Sequence, residues 1–443
     1  MKSADAPQRA LSFDLNPRLS LPLRYFLSAP LFAALAAALV AWQGPAALLT
    51  RWSPLTLALT HLMVLGCLSM TMVGALLQLL PVVAGVALPR VGVVGAVVHL
   101  GLCLGTLVLA AAFWREQALL FRCALTLLLA TLLLFVAACT LALWRRGPGA
   151  GPVLPGIRLS LASLAITTLL GGLLAGAFAF PALEGLPLQR LTDLHAMWGL
   201  LGWVGLLVIA IAYQVVPMFM VTPPYPPLLT GGFATTMFLL LASASISSGL
   251  RGPAQLFHQT CLLLLAAGYA AFGAVTLSLL ARRKRPSTDP TTLYWRTAMA
   301  SLLAALALWL WPGDAHDNLR PLLLGVLLIA GFALSAIAGM LYKIVPFLTW
   351  YHLQESAAPG QPKLPGINKI IPERAAQRQF LAHALALLML AAACWRPDLL
   401  ARPAAALMGC SCLWLWYNLA TALRLYRRLR PPSTPPLTVT ATT

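Results

Sequence analysis

Thr192–Val221, TDLHAMWGLLGWVGLLVIAIAYQVVPMFMV, ends in a pattern that occurs three times along the chain. Gly202, Gln214 and Pro217 stand at the same separations as Gly66, Gln78 and Pro81, and as Gly331, Lys343 and Pro346. A small residue precedes each proline by seven positions: Gly74, Ala210 and Gly339. The copies lie 136 and 129 residues apart, so one unit of about four helices is used three times.

Outward from this stretch the composition fixes the solvent. Of 443 residues, 60% are apolar and 9% charged, and the mean hydropathy is +0.85. One soluble core could not hide that much apolar surface, so the surroundings are lipid. Twelve apolar segments are each long enough to cross roughly 30 Å of hydrocarbon at about 1.5 Å per residue. They lie near 22–43, 54–80, 91–113, 118–143, 158–181, 193–221, 230–249, 254–280, 294–312, 321–350, 377–394 and 402–423. The expected fold is an all-α polytopic membrane protein of 12 transmembrane helices in three pseudo-threefold arcs of four. Its expected parts are a cytoplasmic segment 1–21, one transmembrane domain 22–430 with repeats near 22–144, 158–281 and 294–425, and a disordered tail 431–443 rich in proline and threonine.

A net charge of +19 would suggest nucleic acid in a soluble chain. Here the basic residues sort instead by side of the membrane. With the N-terminus inside, 21 of the 30 lysines and arginines fall on the cytoplasmic face and 8 on the other, led by Arg282–Arg285 and by Arg424, Arg427, Arg428 and Arg430. The positive-inside rule then puts both termini in the cytoplasm of a bacterial-type inner membrane. The first twenty residues lack an apolar signal core and a small-residue cleavage site, so the first span is expected to serve as the insertion signal. The eight cysteines lie in or beside apolar runs and read as small hydrophobes rather than disulfide partners.

Ionisable groups inside a membrane are costly and therefore candidate functional residues. His61, His195 and His258 enter the bilayer from the non-cytoplasmic side, and His316 stands just before span 10. His99, His352 and His383 belong to the other side. Neutral imidazole is a common ligand for metal and for haem iron. His258 with Cys261 and His99 with Cys103 place two soft ligands on one helical face, a weak pattern that Cu or Zn could use. Gln78, Gln214 and Lys343 near the cytoplasmic ends of spans 2, 6 and 10 read either as caps for carbonyls freed by the following prolines or as a polar ring where the arcs meet.

At this level the chain resembles the catalytic subunit of haem-copper oxidases, with the layout of the nitric oxide reductase and cbb3-type branches. Leu59-Thr60-His61 running through small residues to Leu80-Pro81, and Leu194-His195 running to Val216-Pro217, look like span 2 of that family. The resemblance implies a low-spin haem b with His61 as an axial ligand, partnered by His195 or His258, with copper second to it. It further implies a place in respiration or nitric oxide response and a respiratory or cytochrome partner subunit. The ligand set departs from the family's, since spans 7 and 10 contain no histidine. The chain therefore reads as a divergent member without a complete haem-copper centre, similar to haem-containing membrane proteins linked to nitric oxide stress. His61 precedes its proline by 20 residues and His195 by 22, which turns them about 200° apart relative to the repeat. The alternative is a permease or exporter whose small-residue helices and three polar positions line a path. No Walker motif, nucleophile elbow, CxxC or HExxH occurs, so nothing points to nucleotide hydrolysis or standard hydrolase chemistry.

Overall fold

Lipid offers backbone groups no hydrogen-bond partners, so apolar runs of this length satisfy their own N–H and C=O groups as helices. The structure, a computed structural model, describes residues 17–86, 88–144, 151–183, 185–285, 289–312, 318–356 and 364–430. The expected disordered tail 431–443, most of segment 1–21, and His316 lie outside the described residues. Among those described there is no strand.

The long helices are α1 (Ser20–Gln43), α2 (Pro54–Val82), α3 (Val91–Arg115), α4 (Ala118–Trp144), α5 (Val153–Ala179) and α6 (Leu188–Met220), followed by α7 (Phe233–Ser247), α8 (Pro253–Ala281), α9 (Pro290–Leu310), α10 (Leu319–Glu355), α11 (Glu373–Ala393) and α12 (Pro397–Leu429). Eleven of them are long and apolar enough to cross a membrane. The exception is α7, whose 15 residues end at glycines with positive φ, Gly232 at 109° and Gly249 at 79°. Those backbone conformations suit glycine and stop a helix. At about 1.5 Å per residue α7 spans roughly 22 Å.

The helices that carry the repeated pattern, α2, α6 and α10, share a feature that hydropathy does not encode. Each switches to π-helical bonding around its repeated glycine, over Leu62–Ser69, Trp198–Gly205 and Val326–Leu334, and α2 does so again from Leu80. The first two stretches are 136 residues apart, as the repeat requires, and each of the three contains the repeated glycine. A Cβ on Gly202 would lie 2.8 Å from Ser163 Cβ of α5, and one on Gly331 would lie 2.6 Å from Ser301 Cβ of α9. On Gly66 it would meet the Phe32 ring of α1. In every case the glycine brings its helix against the first helix of its own repeat, as small residues do between transmembrane helices. The second small residue does the same, with Gly74 against Tyr25 and Gly339 against Tyr294.

Facing the other way, α2, α6 and α10 meet around one cavity of about 70 Å³. Three sets of repeat-equivalent positions line it: Thr71, Leu207 and Ala336; Met72, Val208 and Ile337; Ala75, Ile211 and Met340. Cross-links tie the π segments together. The Trp203 indole donates to Ser69 Oγ at 3.0 Å, joining α6 to α2, and the Tyr269 hydroxyl of α8 donates to the Leu201 carbonyl.

Two glycines in α10 give a matched test. Gly331→Ala should destabilise the protein by about 1–3 kcal/mol through overpacking. Six residues away, Gly325→Ala should be neutral or stabilising, since nothing lies within 4 Å of a Cβ there. Thermal unfolding in detergent reads the difference, and equal effects at both sites would refute the close-approach role of Gly331.

Candidate functional site

His61 and His195 each stand seven residues after the first residue of their helix, Pro54 and Leu188. That places both roughly 10 Å along their helices. Their rings lie 6.2 Å apart between centroids, with planes 26° from parallel. The rings meet although they stand about 200° apart relative to the repeat. When units are arranged by rotation, the contact between consecutive copies is heterologous, so one face of a copy meets a different face of the next. Two histidines at equivalent positions could meet only on the axis; two on opposite faces can meet across the seam between α2 and α6.

The hydrogen bonds fix the tautomer of both rings. His61 Nδ1 lies 2.8 Å from the Leu57 carbonyl oxygen, one turn back along α2. His195 Nδ1 lies 3.0 Å from the Thr167 carbonyl oxygen of α5. A carbonyl can only accept, so each Nδ1 carries the proton and each Nε2 keeps a lone pair. Histidines that ligate metal commonly donate the other ring N–H to a carbonyl in this way. Space for the second ring comes from Gly171 on α5: a Cβ there would sit 2.9 Å from His195 Cε1 and 3.8 Å from Nε2.

The walls are aromatic and apolar. Phe113 of α3 stacks on His61 at 5.4 Å, and Phe121 and Phe178 pack edge-on against Phe113 at 5.2 and 6.1 Å. Near the same seam Arg51 pairs with Asp193 at 2.8 Å, two residues from His195. This exposed bridge links the segment before α2 to α6 and contributes about 0–1 kcal/mol.

His258 is not brought into contact with this pair. On α8, its Nδ1–H donates to the Ala244 carbonyl of α7 at 2.9 Å. His99 Nε2 is engaged by Ser28 Oγ at 2.9 Å and approached by Cys103 Sγ at 3.7 Å. Its ring meets Tyr25 edge-on, and on α11 His383 pairs with Ser335 at 2.8 Å while its ring lies 5.1 Å from Tyr294. First and third repeats thus share a tyrosine–histidine packing unit. Among the described residues no group of three or more His, Cys, Asp or Glu is placed to hold a metal ion.

Of the polar positions at the far ends of the inner helices, Gln78 is buried and Gln214 half-buried. Lys343 forms an ion pair that sequence reading did not anticipate, with its Nζ 2.6 Å from Asp289 Oδ2. Asp289 caps α9, accepting from Thr292 N–H and Thr292 Oγ1, both at 2.8 Å, and Arg285 approaches it at 3.4 Å. Burial alone would raise the Asp289 carboxyl, but the Lys343 ammonium and the Thr292 hydrogen bonds outweigh it and hold it below the usual carboxylate range. The Asp289-Pro290 junction is a helix-start signal, which marks the aspartate as a cap but does not reveal its partner.

No family model matches the chain, and no curated protein matches it.

Removing one partner of a buried pair strands the other charge. Asp289→Ala should cost roughly 3 kcal/mol, the low end for such pairs because the Lys343 side chain remains 20% exposed. Lys343→Met in that background should recover much of the loss. A double-mutant cycle by thermal unfolding tests this, and additive effects would show that the two residues do not interact. Because the folded pKa of Asp289 is lowered, the contribution is complete above the unfolded value of about 4 and is lost as pH falls through the folded one.

Proposed function

We propose that this is an integral membrane haem-binding protein on a scaffold like that of the haem-copper oxidase catalytic subunit, with His61 and His195 as the residues that would hold the haem iron. The supporting observation is the pair itself: ring centres 6.2 Å apart, each Nδ1 held by a carbonyl. Two imidazoles on one iron put their nitrogens roughly 4 Å and their ring centres roughly 6 Å apart. The donor set, the apolar wall around Phe113 and the space kept by Gly171 suit b-type haem, which when bound supplies one-electron redox chemistry.

On this reading the chain's own residues hold and orient. The Leu57 and Thr167 carbonyls set the two rings, and the phenylalanine cluster excludes water. His61 and His195 would together hold the haem, which would supply one-electron transfer or a nitric oxide response rather than turnover. The same reading makes α7 the twelfth span, arranges the helices in three arcs of four, and places both termini in the cytoplasm of a bacterial-type inner membrane beside a respiratory or cytochrome partner. The permease alternative gains nothing from the cavity between the inner helices, whose lining side chains, the Thr71 hydroxyl and the Trp295 indole N–H apart, are apolar.

Purified wild type should show a Soret band that sharpens and shifts on dithionite reduction. His61→Ala and His195→Ala should each abolish it, and His258→Ala should leave it unchanged. Gly171→Val should lower haem occupancy by displacing the His195 ring. An unchanged Soret band in His61→Ala, or none in wild type expressed with ample haem, would end the proposal.

A further inference from the structure

The cavity where α2, α6 and α10 meet has no part in the haem reading, and its construction sets it apart from a packing fault. Nine of its lining residues are three sets of repeat-equivalent positions, so it is generated by the repeat rather than by one ill-fitting side chain. It is kept open by small residues at those positions: Ala75 of α2 and Ala336 of α10 stand where a leucine would fill the space. A partly open apolar space lined by equivalent positions of three helices is one that a small non-polar molecule can enter from outside.

The walls say what that occupant can be. Thr71 is the one hydroxyl-bearing residue of the lining, and its Oγ1 donates back along its own helix to the Cys67 carbonyl at 2.9 Å. Phe26 and Trp295 contribute ring surface, and the Trp295 indole N–H is buried without a hydrogen-bond partner. Water in a site of this kind needs two to four polar partners, and the lining offers one free donor, the Trp295 indole N–H, beside the Thr71 hydroxyl already engaged with its own helix, although about 70 Å³ exceeds the space one molecule requires, on the order of 10–15 Å³. Apolar cavities of comparable character stay dry and take up xenon or small hydrocarbons. The volume admits only a few heavy atoms, and the lipid surroundings concentrate non-polar solutes.

We infer that this axial cavity is a binding site for a dissolved non-polar gas, a neutral molecule of two or three heavy atoms that reaches it from the lipid. Xenon is the probe. Full-length protein in detergent, equilibrated with xenon, should give a saturable shift of the ¹²⁹Xe resonance and of the Trp295 indole N–H signal, the latter assigned by its loss in Trp295→Phe. Ala75→Leu and Ala336→Leu fill the cavity from different helices, and whichever of them folds should lose the saturable component. His61→Ala should keep it, which separates this site from the histidine pair. The inference is overturned by a xenon response that does not saturate, by one that survives both filling substitutions, or by a water cross-peak to the Trp295 N–H.

Discussion

Backbone-to-side-chain contact at three glycines is the constraint on which the rest of the structure depends. In lipid, helices gain nothing from hiding apolar side chains from one another, so association rests on close packing and on a few hydrogen bonds. Gly66, Gly202 and Gly331 allow the inner helices to press against α1, α5 and α9, with Phe32, Ser163 and Ser301 occupying the space a Cβ would take. Each glycine lies within a π-helical stretch, and π-bonded turns re-aim every side chain that follows. One face of each inner helix therefore meets its own repeat while another face meets the central cavity.

The histidine pair is a departure from that regularity. Were the repeats related by rotation, the seam between neighbouring copies would be a meeting of unlike faces, where only residues out of register with one another confront each other. A two-residue displacement of His195 relative to His61 supplies this. The third repeat has no histidine in the first turns of α10 to take part, its His352 lying in the last turn, and it carries instead a charged pair and a set of polar contacts: Tyr294 and Tyr342 donate to Gln379, and Asn418 donates to Tyr342. A histidine pair between α2 and α6 and polar fastening in the third repeat are two uses of the same architecture.

Much of this was legible in the sequence because lipid imposes a length and an apolar composition on every span. The long helices begin and end close to where hydropathy and the breakers place them, and the glycine repeat correctly indicated close approach. The depth shared by His61 and His195 could be counted from their helix starts. Their contact could not, because facing depends on how neighbouring repeats are turned, and a 200° offset taken alone suggests separation. The π stretches change hydrogen bonding without changing which residues are apolar, so no periodicity announces them. Asp289 was hidden for a different reason: a cap residue is read from its own helix, whereas its partner lies 54 positions away on the next one. For α7 the glycines at 232 and 249 bound a helix of 15 residues, slightly shorter than the apolar segment 230–249 read from the sequence.

The Asp289–Lys343 contact also bears on how the chain enters its membrane. A lysine within an apolar helix opposes insertion by up to about 3 kcal/mol when it enters alone. Its counter-charge sits at the start of α9, the helix made immediately before α10, so by the time Lys343 leaves the ribosome the carboxylate is already present on the preceding segment. Helices α9 and α10 are thereby coupled during biogenesis, and the pair, rather than either helix singly, becomes the unit that partitions into lipid.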